Sequence, residues 1–144
     1  ILHHILAFGR VAMLMGESVL VKPGMTGEQA RRVAGLDAGY GATSVLLLLV
    51  GGARVAFAAK GWAWYDDNVW FWGKMATFLL VALLSVPPTL RYIAWRRAFA
   101  ADAAWTPDAA EIARVRRFIG LQVIGIAVII VFAATMARYP GLAV

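Results

Sequence analysis

The chain has no cysteine among its 144 residues, which excludes disulfides, thiolate metal sites and cysteine nucleophiles. Histidine occurs only as His3 and His4, so metal chemistry would fall to these two together with Met, Asp or Glu. Charge is scarce as well: 15% of residues are charged, against roughly 25% in a soluble domain. A Gly-rich phosphate loop, a nucleophile elbow, an HExxH pair and carboxylates at catalytic spacing are all missing, which removes the common hydrolase and nucleotide-binding chemistries. Asp66 and Asp67 are adjacent in a loop and read as a solvated pair. Met13, Met15, Met75 and Met136 are scattered through apolar runs and read as packing.

What is present is hydrophobic surface. The apolar share is 62% and the mean hydropathy +0.73, the composition of an integral membrane protein whose first partner is the lipid bilayer. Four runs, over residues 1–21, 40–59, 70–90 and 118–137, each have about 20 residues, enough to cross a hydrocarbon core of roughly 30 Å as helices. The expectation is an all-α four-helix transmembrane bundle forming one domain over 1–144. No basic segment precedes the first apolar run, so it reads as a retained helix rather than a signal peptide. Thr26 and Gln29 have capping-box spacing, and Thr106-Pro107-Asp108 supplies an N-cap, a first-turn proline and an acid, so both flanking loops end in helices that run on into the membrane.

The net charge of +6 comes largely from two loops, which hold Lys22, Arg31, Arg32, Arg96, Arg97, Arg114, Arg116 and Arg117. That is the pattern of cytoplasmic loops in a multi-pass membrane protein, and no nucleic-acid partner is needed to explain it. Residues 22–37 and 95–117 are then cytoplasmic, and both termini lie outside. The opposite loop is rich in Trp and Tyr, as an interfacial aromatic belt or as a wall over a flat ligand.

Four polar side chains in the first run, His3, His4, Arg10 and Glu17, are costly in hydrocarbon. His3, Arg10 and Glu17 are seven residues apart and drift only about 20° per step, so they form one stripe at three depths. Beside it Gly9, Ala12 and Gly16 make a strip of small residues, which lets a neighbouring helix approach and turns the polar stripe toward protein. Arg10 and Glu17 are two turns apart, too far to pair directly, and each needs a partner from another helix. With Arg54, Lys74 and Arg138, His3 gathers cationic groups toward one side of the membrane. A porphyrin suits such a site, with an apolar plate, carboxylates for Arg or Lys and an iron that takes an imidazole. His4 points about 100° away from His3, so one ligand at most comes from the dipeptide.

The stretches LHHILAF, WFWGKMATFLL and SVPPTLRYIAWRR resemble an uncharacterised family of small bacterial four-helix membrane proteins, a domain of unknown function. More distantly, the early His, the Trp-rich loop and the Lys opening the third run are similar to HemJ-type protoporphyrinogen oxidase and to CopD-type membrane proteins. The HemJ likeness implies haem b at His3, with His3 as metal ligand, and a functional role for Lys74. Pro87 and Pro88 stand where HemJ-like sequences carry a late histidine, which speaks against oxidase activity. Two readings remain, a haem or porphyrin binder using His3, Arg54 and Lys74, and a cofactor-free accessory subunit of a larger membrane complex or homo-oligomer.

Overall fold

A computed structural model describes residues 1–57 and 61–138. It contains α1 (Leu2–Leu20), α2 (Gly27–Phe57), a short α3 (Gly61–Asp66), α4 (Val69–Ala101) and α5 (Ala109–Arg138). α2, α4 and α5 each start at a side-chain cap, whereas α1 starts at Ile1 without one. At α2 the Thr26 amide donates to Gln29 Oε1 at 3.0 Å and the Gln29 amide to Thr26 Oγ1 at 3.2 Å, the reciprocal box its spacing predicts. At α4 Asn68 Oδ1 accepts from the amides of Trp70 and Phe71 at 3.0 and 3.4 Å. The start of α5 corrects the sequence expectation: Asp108 Oδ2, not Thr106, accepts from the Ala110 amide at 2.9 Å, and Pro107 precedes the helix. Gly24, with φ of 76°, makes the reversal between α1 and α2 that a residue with a Cβ would resist.

The spans expected at 40–59, 70–90 and 118–137 are the apolar stretches of longer helices. α2, α4 and α5 have 31, 33 and 30 residues, about 45–50 Å of helix, and these three are long and apolar enough to cross a membrane. α1, with 19 residues including Arg10 and Glu17, is shorter and more polar and is not among them. The four long helices nevertheless pack as a closed ring, α1 on α2 and α5, α2 on α4, and α4 on α5. Pro87 and Pro88 do not interrupt α4. Each removes one backbone donor, and the Ser85 hydroxyl bonds the Ala82 carbonyl at 2.7 Å in the same stretch.

The molecule is apolar outside and polar within over much of its length. Leu46, Leu49, Leu80, Leu83, Ile124 and Ile130 are exposed, while Arg10, Glu17, Asp37 and Gln122 are buried, the arrangement expected when the surrounding solvent is hydrocarbon. Glycine permits the tightest crossings. A Cβ on Gly125 would collide with Val81, and one on Gly27 would lie 2.6 Å from the Trp105 carbonyl oxygen and collide with the Phe99 ring. Gly27→Ala and Gly125→Ala should therefore lower the melting temperature in detergent, with overpacking costing about 1–3 kcal/mol. Gly120→Ala, whose methyl meets nothing within 4 Å, should leave it unchanged or raised. Equal effects at all three positions would show that these crossings are not limited by space.

Candidate functional site

The heptad stripe on α1 turns inward along its whole length. At one end of the bundle the ring of His3 lies over α2, where a Cβ placed on Gly51 would stand 3.4 Å from Cε1. The ring faces a cavity of about 310 Å³ walled chiefly by apolar groups, among them Leu47, Val55, Phe71, Met75, Phe78 and Ile129. That volume is at the small end of ligand sites, which run roughly 300–1,000 Å³. Lys74, one turn into α4, shares the wall. Its Nζ lies 3.8 Å from Met136 Sδ and 5.0 Å from the centre of the Phe71 ring, and among the described residues no carboxylate forms an ion pair with it. His3 Nδ1 is buried without a hydrogen-bond partner among the described residues.

Arg54 is exposed near the end of α2 and is not part of the wall, although it is within electrostatic reach of both His3 and Lys74. The cavity thus unites His3 with Lys74 and leaves Arg54 at its edge. His4 is exposed, as the 100° rotation requires. The Trp-rich stretch divides between its two readings. Trp62 and Phe71 border the cavity, Trp72 lies half exposed with Nε1 donating to the Asp66 carbonyl at 3.0 Å, and Trp70 stacks at 5.9 Å on Phe132. Asp66 and Asp67 are exposed. Arg138 closes α5.

Below the cavity the stripe continues as a buried polar seam. Arg10 Nη2 donates to the Tyr40 hydroxyl at 2.8 Å, and the guanidinium lies 4.7 Å from the ring centres of both Tyr40 and Phe78. Phe78 therefore belongs both to the cavity wall and to the clamp on Arg10. One to two turns further along, the Tyr92 hydroxyl donates to Glu17 Oε2 at 3.3 Å and the Thr89 hydroxyl to Asp37 Oδ1 at 2.9 Å. Tyr92 stacks on Trp95 at 5.6 Å, and Trp95 Nε1 donates to Glu111 Oε2 at 2.8 Å, where Arg91 pairs with the other oxygen at 2.8 Å. Arg10 and Glu17 are inside the bundle with partners from other helices, as the stripe predicts.

The rest of the seam is not in the sequence reading. Asp37 is expected in a cytoplasmic loop over 22–37, yet it is buried in α2. The helix starts at the capping box as its spacing predicts, and what the loop assignment missed is that the turns before Tyr40 have a buried face. Ala30, Val33, Asp37 and Tyr40 are all buried, at helical spacing of three and four, and that periodicity is the signal that could have found it. Tyr92 and Trp95 escape notice for the same reason, because α4 runs on to Ala101.

A family model described as Predicted membrane protein (DUF2214) matches residues 1–141. No curated protein and no solved structure matches the chain. The geometry of Arg10 carries a prediction independent of any ligand. Tyr40→Phe removes the hydroxyl bonded to a buried guanidinium, and a hydrogen bond to a charged group contributes about 1.5–3 kcal/mol. Thermal unfolding in detergent should show a loss of that order for Tyr40→Phe and little change for Ile130→Ala, which faces outward. Matching unfolding curves for the two would place Arg10 in contact with solvent.

Proposed function

The chain belongs to this family of predicted membrane proteins of unknown function, and we propose that it binds an amphipathic anionic ligand, haem b or a related porphyrin, in the cavity shared by His3 and Lys74. The observation that carries this reading is the pairing of two unsatisfied polar groups in one apolar space. His3 Nδ1 has no partner, and Lys74 has a thioether and an aromatic face but no anion among the described residues. The donor set fits the group. His3 offers an imidazole, Met75 in the same wall a thioether, Lys74 a cation for a propionate, Arg54 a second cation at the edge, and the remaining wall accepts an apolar plate. Bound there, haem supplies one-electron redox chemistry. A HemJ-like character is part of this reading through His3 and Lys74, whereas oxidase activity is not, because Pro87 and Pro88 occupy the late third-run positions.

The reading also includes topology. α1, about 28 Å long at 1.5 Å per residue, spans the hydrocarbon of a bacterial inner membrane as a fourth helix, its polar stripe covered by α2, α4 and α5. Lys and Arg are concentrated at the Lys22 end, which makes that end cytoplasmic and both termini external. Cysteine introduced at Lys22 and at Asp67, both exposed, should react with an impermeant reagent from opposite sides of intact cells. Equal labelling from one side would overturn this orientation.

The cofactor-free alternative, an accessory subunit of a membrane complex or homo-oligomer, is favoured by the outer face of α1. Gly9 has nothing near its Cβ position, and Ile5, Phe8 and Ala12 around it are exposed, a strip another helix could approach closely. An absorption spectrum of protein purified from haem-replete cells separates the two. The haem reading expects a Soret band at close to one haem per chain, abolished in His3→Ala, retained in His4→Ala and weakened in retention by Lys74→Ala. A colourless wild-type protein would refute it.

A further inference from the structure

The cavity leaves the middle of the bundle unexplained, where two carboxyl groups share a buried layer. Glu17 is 2% exposed and Asp37 7% exposed, on neighbouring helices, and their partners Tyr92 and Thr89 are three residues apart on one face of α4. Their bonded partners among the described residues are hydroxyls, Tyr92 for Glu17 and Thr89 for Asp37. The ion pairs among the described residues, Arg31 and Arg32 with Glu28 and Arg91 with Glu111, lie elsewhere. Arg10 is two turns from Glu17; its Nη2 bonds Tyr40 and two aromatic faces flank the group, while its Nε has no partner among the described residues. Counting Arg10, Glu17 and Asp37 as ionised leaves the buried seam with an excess negative charge and two carboxylates in one layer, which a low-dielectric interior does not hold without a counter-charge.

A second observation shows where that counter-charge would sit. Glu17 Oε1 is buried and has no hydrogen-bond partner. Gln122, 1% exposed at the end of the buried stripe of α5, likewise has an unpartnered Oε1. We infer that Glu17 and Asp37 together hold a single monovalent cation, a proton or a sodium ion, inside the bundle. Either occupant brings the seam to neutrality and uses an oxygen that now has no donor. A proton makes Glu17 Oε1 or an Asp37 oxygen a hydroxyl shared across the pair, and sodium takes carboxylate, amide and hydroxyl oxygens as a hard cation does. The groups packed about the site are Arg10 on α1, Asp37 and Tyr40 on α2, and Thr89 and Tyr92 on α4, with Arg116 of α5 bonded to the Val21 carbonyl at the end of α1.

The test uses the full chain in lipid nanodiscs at neutral pH, and it does not depend on what fills the cavity. Infrared spectroscopy reads the proton: a protonated-acid carbonyl band equivalent to one acid per chain, shifting in deuterated water and absent from Glu17→Gln/Asp37→Asn. Thermal unfolding reads sodium: a melting temperature that rises with sodium chloride but not with choline chloride, and a rise that the double variant loses. Either signature supports the inference and identifies the occupant. A wild-type protein with neither signature, or a double variant that retains the one seen, overturns it. Gln and Asn keep the acceptors for Tyr92 and Thr89. Should the double variant not fold, Asp37→Asn alone serves, since loss or displacement of the signature supports the assignment and an unmoved signature overturns it.

Discussion

A guanidinium withdrawn from water must find all of its compensation in protein, and the position of Arg10 organises the helices around that need. Its hydrogen bond goes to Tyr40 of α2 and its second aromatic face comes from Phe78 of α4, so three helices meet at one charged group. Because His3 and Glu17 share its stripe, fixing the rotation of α1 about Arg10 also fixes where the other two point. His3 is turned into the cavity and Glu17 toward Tyr92. A structure with Arg10 in lipid would expose all three at once, at a cost no packing of Leu14 or Met13 could offset.

The helical membrane character and the inward face of α1 were legible from composition and a period of seven, because both are sums over many residues. The capping box at Thr26 was legible for the opposite reason, as a local pairing complete within four residues. What could not be read was that the turns of α2 between that box and its apolar run have a buried face, or that α4 runs well beyond its own apolar run. Hydropathy marks where a chain meets hydrocarbon, whereas hydrogen bonding decides where a helix stops, and the two differ by about ten residues at the start of α2 and the end of α4. Asp37, Tyr92 and Trp95 fall in that difference. The cavity was legible in its ingredients, His3 and Lys74, but not in its membership. Arg54 is set at the edge by the rotation of α2, and Phe71, Met75 and Phe78 join through a helical face indistinguishable in sequence from one turned to lipid.

Pro87 and Pro88 acquire a meaning in α4 that their sequence context hides. In water two consecutive prolines would end the helix. Here the helix continues to Ala101, with Pro88 buried and Thr89 directly following it bonded to Asp37. The prolines deprive the carbonyls of Leu83 and Leu84 of their helical donors, more than a turn before the Thr89 that bonds Asp37.

The uneven lengths of α1 and its neighbours divide the molecule between two solvents. Beside the Lys22 end, Val21, Met25, Ala30, Val33, Trp95, Ile112 and Val115 form a fully buried apolar cluster under helices carrying the exposed pairs of Glu28 with Arg31 and Arg32. This is the architecture of a water-soluble bundle, held by removal of apolar surface from water. Past Glu17 the inside carries the polar atoms, the outside is apolar, and water expulsion can contribute little to helix association. The same four helices therefore answer to entropy of water at one end and to hydrogen bonding and close contact at the other. Temperature and denaturant, which act on apolar hydration, have a direct hold on only one of those ends.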